Sequence, residues 1–167
     1  IGRHAGRLAS YCNYTNMIGH QAGYQASSCG ATNMIGLSAG STASSCGATN
    51  MIGLSAGYQA TDCNFTEMIG YYAGYQTDTC STCIMIGFEA GRGAENFTSS
   101  IAIGYYAGRD HLAEDSPPTG VNNVYLGPLA GYAHDGDRNI SIISNADDTI
   151  NEPLLPSNDR LNIANTI

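Results

Sequence analysis

The chain has 167 residues, the length of one domain, with 43% apolar residues and only 12% charged. Its net charge of −8, with all six basic residues Arg, argues against a nucleic-acid partner, which needs a basic footprint. No apolar run reaches the roughly 18 residues of a membrane span, so no membrane partner is expected. The chain begins at Ile1 and shows no signal peptide, which reads as a processed product or a fragment.

From the N-terminus the chain is a repeat. Ile1-Gly2, Ile18-Gly19, Ile35-Gly36, Ile52-Gly53, Ile69-Gly70, Ile86-Gly87 and Ile103-Gly104 recur at a period of 17. One fifteen-residue stretch, ASSCGATNMIGLSAG, is spelled at Ala26 to Gly40 and again at Ala43 to Gly57. Ala-Gly follows each opening pair, as in Ala39-Gly40. Two Gly in so short a span disfavour a helix, since each costs ~1 kcal/mol there. Thr-Asn-Met-Ile-Gly instead reads as a short strand ended by Gly. Period-2 alternation sends its Ile file to one face and its Met file to the other. A unit this short suits one coil of a β-solenoid, in which equivalent residues stack and each coil buries the face of the next.

The expected fold is therefore all-β: a β-solenoid, or β-roll, of about eight 17-residue coils. Residues 1–110 form the regular repeat. Residues 111–123, with Pro117-Pro118 and Gly120, form an inserted loop that delays the next pair, Leu126-Gly127. Residues 124–132 are the last coil, and 133–167 an irregular β-rich cap or junction. At ~4.8 Å per coil the rod is roughly 40 Å long.

Cys12, Cys29, Cys46, Cys63 and Cys80 share one file, and Phe97 takes the same place in the next coil. The Phe argues that the file faces the core and that Cys serves as a small apolar residue. A disulfide ladder stays open beside this reading. Stacked coils lie within bridging distance, with Cys12–Cys29, Cys46–Cys63 and Cys80–Cys83 as one pairing. A straight ladder does not surround a metal ion tetrahedrally, so neither metal nor cofactor is expected.

The Thr file from Thr15 to Thr66 is too narrow for an ice-binding face. Tyr24, Tyr58, Tyr75, Tyr71 and Tyr105 recur in the repeat and read as packing ladders, with contact to a sugar face as the alternative. Asn13, Asn64, Asn96 and Asn139 lie in N-x-[ST] sequons, which are candidate glycosylation sites. Glu89, Glu95 and Asp110 fall in different files, so no facing carboxylate pair is expected and the chain reads as non-enzymatic.

The units T-N-M-I-G-x-x-A-G, S-S-I-A-I-G-Y-Y-A-G (99–108) and V-N-N-V-Y-L-G-P-L-A-G (121–131) resemble repeats of phage and viral tail-fibre proteins. The closing S-N-D-R-L-N-I-A-N-T-I (157–167) resembles a segment that often follows those repeats, with Ala164 where Gly is usual. The S-I-A-I-G core is also similar to the β-roll heads of trimeric autotransporter adhesins. The resemblance implies a homotrimeric, non-enzymatic fibre segment on a virion or outside the cell, with a cell-surface glycan as a possible receptor. The residues add their own argument. Both the Ile and the Met files are apolar, a thin coil has one interior, and a threefold axis would cover the second file. The alternative is an extracellular filament of head-to-tail copies, possibly N-glycosylated, with Asn165-Thr166-Ile167 leading into the next copy's Ile1.

Overall fold

The structure, a computed structural model, describes residues 1–11, 14–28, 30–45, 47–62, 64–78, 81–93, 97–109, 120–131, 136–143 and 161–164. Among them there is no helix. One parallel sheet of nine strands runs in strict chain order. The strands are β1 (Asn16–Ile18), β2 (Asn33–Ile35), β3 (Asn50–Ile52), β4 (Glu67–Ile69), β5 (Ile84–Ile86), β6 (Ile101–Ile103), β7 (Val124–Leu126), β8 (Ile140–Ile143) and β9 (Leu161–Ala164). Asn pairs with Asn, Met with Met and Ile with Ile from β1 to β3, one repeat apart. The chain is a β-solenoid.

The coils of β1–β7 turn at an Ile-Gly-x-x-Ala-Gly corner, with Leu126 in place of Ile in the last of them. In the β2 coil, Gly36 has φ 134°, Ser38 56° and Gly40 67°, so three of the five residues after the strand are left-handed. A Cβ on Gly36 would sit 2.3 Å from the carbonyl oxygen of Gly53 in the next coil. Glycine is needed there because two backbones touch. The Ser38 position is left-handed after each of β1–β7, whether it holds Gln21, Tyr72, Glu89 or Leu129. The backbone ladder crosses the corner, with Gly36 N–H donating to Ile18 O at 2.8 Å and Gly40 N–H to Ala56 O at 2.8 Å. Coil-to-coil backbone bonds therefore hold the unfavourable dihedrals in place.

The interior is narrow. In β2–β7 the central residue points inward, as Ser141 does in β8, and Met34, Met51, Met68 and Met85 are fully buried. Ala39, Ala56, Ala73 and Ala90 close the opposite corner. Core volume is conserved by exchange. Where the strand residue shrinks to Ala102, Phe97 enters the core at 4% exposure, five positions earlier. Where it grows to Tyr125, the same earlier position is the buried Gly120. Close packing of fixed backbone leaves room for one large group per rung.

The stack does not stop at residue 132. β8 and β9 continue the sheet in register, Val124 facing Ile140 and Ile140 facing Leu161. Leu161–Ala164 thus takes the Asn-Met-Ile-Gly files. Asn165, Thr166 and Ile167, on which the head-to-tail reading rests, lie outside the described residues.

Candidate functional site

Because the central strand residue points inward, the two flanking residues point out and form parallel files on the outer face. The Ile file runs from Ile18 to Ile163 and is half-buried or exposed throughout. The Asn file changes chemistry along the rod. Over β1–β4 it is a hydrogen-bonded ladder. Asn16 Nδ2 donates to Asn33 Oδ1 at 2.8 Å, and Asn33 Nδ2 to Asn50 Oδ1 at 2.6 Å. Asn50 Nδ2 then reaches both Glu67 oxygens, at 2.7 and 2.8 Å. From β5 onward the file is aliphatic, with Ile84 next to Glu67 and Leu161 at its far end.

A third file follows the corner Gly: Leu37, Leu54, Tyr71, Phe88 and Tyr105, all exposed. Tyr71 stacks on Phe88 with centroids 5.1 Å apart and planes at 3°, and Phe88 stacks on Tyr105 at 5.4 Å and 19°. Tyr58 stacks on Tyr75 at 5.1 Å. Arg7 lies over Tyr24, Arg92 over Tyr75 and Arg109 over Tyr106. Within each stack one ring covers a face of the next, so the rows present mainly ring edges to the outside. A sugar platform needs open faces, and the geometry fits packing better.

Beside these rings Glu89 is buried at 6% exposure. Its Oε2 accepts a hydrogen bond from Arg92 Nη1 at 2.7 Å and makes an ion-pair contact, without hydrogen-bond geometry, with Arg109 Nε at 3.2 Å. The bond to Glu89 raises the Arg92 pKa above its ordinary value. Tyr72 and Tyr105 are also held above the usual tyrosine range, first by hydrogen bonds with Tyr71 and Tyr106 respectively. The sequence points to Glu89 as a lone carboxylate, but not to Phe88 or to the pairing of Glu89 with Arg92 and Arg109. The 17-residue spacing from Tyr71 to Phe88 to Tyr105 was the available signal.

The other candidate residues fall as follows. Cys12, Cys29, Cys46, Cys63 and Cys80 lie outside the described residues. Phe97, in their file, does face the core. Cys83 is a fully buried free thiol. Cys83 belongs to the Thr file, whose Thr32, Thr49 and Thr66 point inward with no exposure. Thr32 Oγ1 donates to Gly47 O at 2.8 Å, and the Cys83 thiol donates likewise to the Phe97 carbonyl. Burial raises the thiol's pKa.

Asn139 ends the same inward file at 1% exposure, and its N–H donates to Asn123 Oδ1 at 2.8 Å. An attached glycan has no room there, so Asn139 is withdrawn as a glycosylation site of the folded chain. Asn64 is exposed; Asn13 and Asn96 lie outside the described residues. Tyr24, Tyr58 and Tyr75 are half-buried.

No family model, curated protein or solved structure matches the chain.

Proposed function

We propose that this chain is a non-enzymatic structural segment of a fibre: a rigid rod that associates side by side with copies of itself. The observation that carries this reading is the uncovered Ile file. The Met file already fills the single interior, yet a second apolar file of equal length lies outside. Parallel sheets are ordinarily buried on both faces. Exposed apolar strips of this extent mark contact surfaces. Threefold symmetry is what the resemblance to viral fibre repeats implies, and three rods facing a common axis would cover the file.

The same resemblance supports a virion or extracellular setting and attachment to a surface glycan. Against an enzyme, Glu89 is occupied by two Arg, and a carboxylate so paired is not positioned as an acid or base.

Sedimentation at micromolar concentration tests the association: a species near three times the 17.4 kDa chain is expected, and a lone monomer overturns it. Negative-stain images separate short rods, which support the reading, from long uniform filaments of this chain alone, which favour the head-to-tail polymer.

A further inference from the structure

The outer face is not uniform, and the interior changes with it. Over β1–β4 the inside holds Met and the outside an Asn ladder closed by Glu67. The inward Thr file continues as Asn123 and Asn139, and in β8 the inward strand residue itself becomes polar, with Ser141 at 2% exposure. Outside, both files over β5–β9 are aliphatic, from Ile84 to Leu161 and from Ile86 to Ile163. The exposure is large at the far end: Ile140 is 40% exposed, Leu161 67% and Ile163 66%. In this half the greater part of the strand apolar surface lies outside the coil.

We propose that copies of this chain meet through the outer face of β5–β9, the same rungs facing each other, and that the Asn ladder marks where the contact ends. The proposal rests on the lateral association above and adds its location.

A second copy is the occupant the face fits. The aliphatic rows repeat at the strand spacing of ~4.8 Å. A stack with the same pitch interdigitates over five rungs, whereas a helix, with its pitch of ~5.4 Å, falls out of step. The two files carry no charge over these strands. Copies of a chain with net charge −8 can therefore meet here without opposing carboxylates. Five strands at ~4.8 Å, widened by Phe88 and Tyr105 on two of the rungs, give roughly 350 Å² per copy. That is about 700 Å² per pair, the size of a weak contact that a threefold arrangement repeats at each of its interfaces. Phe88 and Tyr105 supply the aromatic residues enriched at such contacts.

The Asn file supplies its own test. Asn already occupies this outward position in β1–β3, so Ile101→Asn with Ile140→Asn gives β6 and β8 a residue that the rung accommodates. In the full chain, with folding followed by circular dichroism, sedimentation should show the dissociation constant rising at least tenfold. Leu54→Ser, on the β3 side, should leave it within about twofold. The reverse change, Asn33→Ile with Asn50→Ile, should tighten association several-fold, and it decides the matter if the first variant fails to fold. An assembly that ignores Ile101→Asn/Ile140→Asn but dissociates with Leu54→Ser overturns the location and leaves the fibre reading standing. Tightening absent in Asn33→Ile/Asn50→Ile also overturns the location. A wild-type monomer overturns the fibre reading itself.

Discussion

The coils of β1–β4 and those of β5–β9 share one backbone plan and differ chiefly in one outer file. In the first group Met fills the inside and Asn or Glu occupies that file. In the second the inside passes from Met85 through Ala102 and Tyr125 to Ser141, while the file holds Ile, Val and Leu. The coil-to-coil hydrogen bonds continue across the change. The comparison teaches that the backbone ladder sets the rung and side chains decide only which face gains by burial. The first half can be stable as a rod; the second gains more from a neighbour.

The largest effect should come from the shared backbone plan. In Gly53→Ala the added Cβ would lie 2.3 Å from Gly70 O, at φ 137°. The expected loss is about 3 kcal/mol or more, read as a fall in the denaturation midpoint. Next is the inner file. Met51→Ala should cost about 2–5 kcal/mol, whereas Ser141→Ala, whose buried hydroxyl has no hydrogen-bond partner among the described residues, should be neutral or mildly stabilising. Equal losses at both positions would erase the contrast between the halves.

Glu89→Gln, in the corner that follows β5, removes the charge that Arg92 and Arg109 share and should cost about 1 kcal/mol in thermal or urea unfolding.

The smallest effect is expected at Cys83. Cys83→Thr restores the residue of the preceding coils and should change stability by less than about 1 kcal/mol. The folded thiol's pKa is raised by burial. Its contribution is therefore complete below the unfolded thiol pKa and is lost as pH rises from there through the folded value. Unfolding midpoints measured across that alkaline range should fall more for wild type than for Cys83→Thr. Alkylation of the native chain should spare Cys83 until denaturant is added; rapid labelling in the native state would contradict its burial.

The repeat and the inward-outward alternation could be read from residue order, because a solenoid repeats its environment as faithfully as its letters. The Met and Ile files went to opposite faces as period 2 requires. Three features were harder to read. β8 and β9 lie 16 and 21 residues beyond the strand before, and Ile143 replaces the corner Gly, so the spacing signal fails although backbone pairing persists. The inward Thr file looks like surface until hydroxyls such as those of Thr15 and Thr32 are seen to satisfy carbonyls of the next coil. Asn139 matches a sequon by its letters but belongs to that same inward file. Phe97 was informative because a core of fixed width admits Phe only when Met becomes Ala102.

The most direct test is sedimentation velocity of the unmodified chain at micromolar concentration, repeated in high salt. A contact made of aliphatic strands predicts a species near three times 17.4 kDa that persists or tightens as salt rises. A single 17.4 kDa species, or an assembly that salt dissolves, would contradict it.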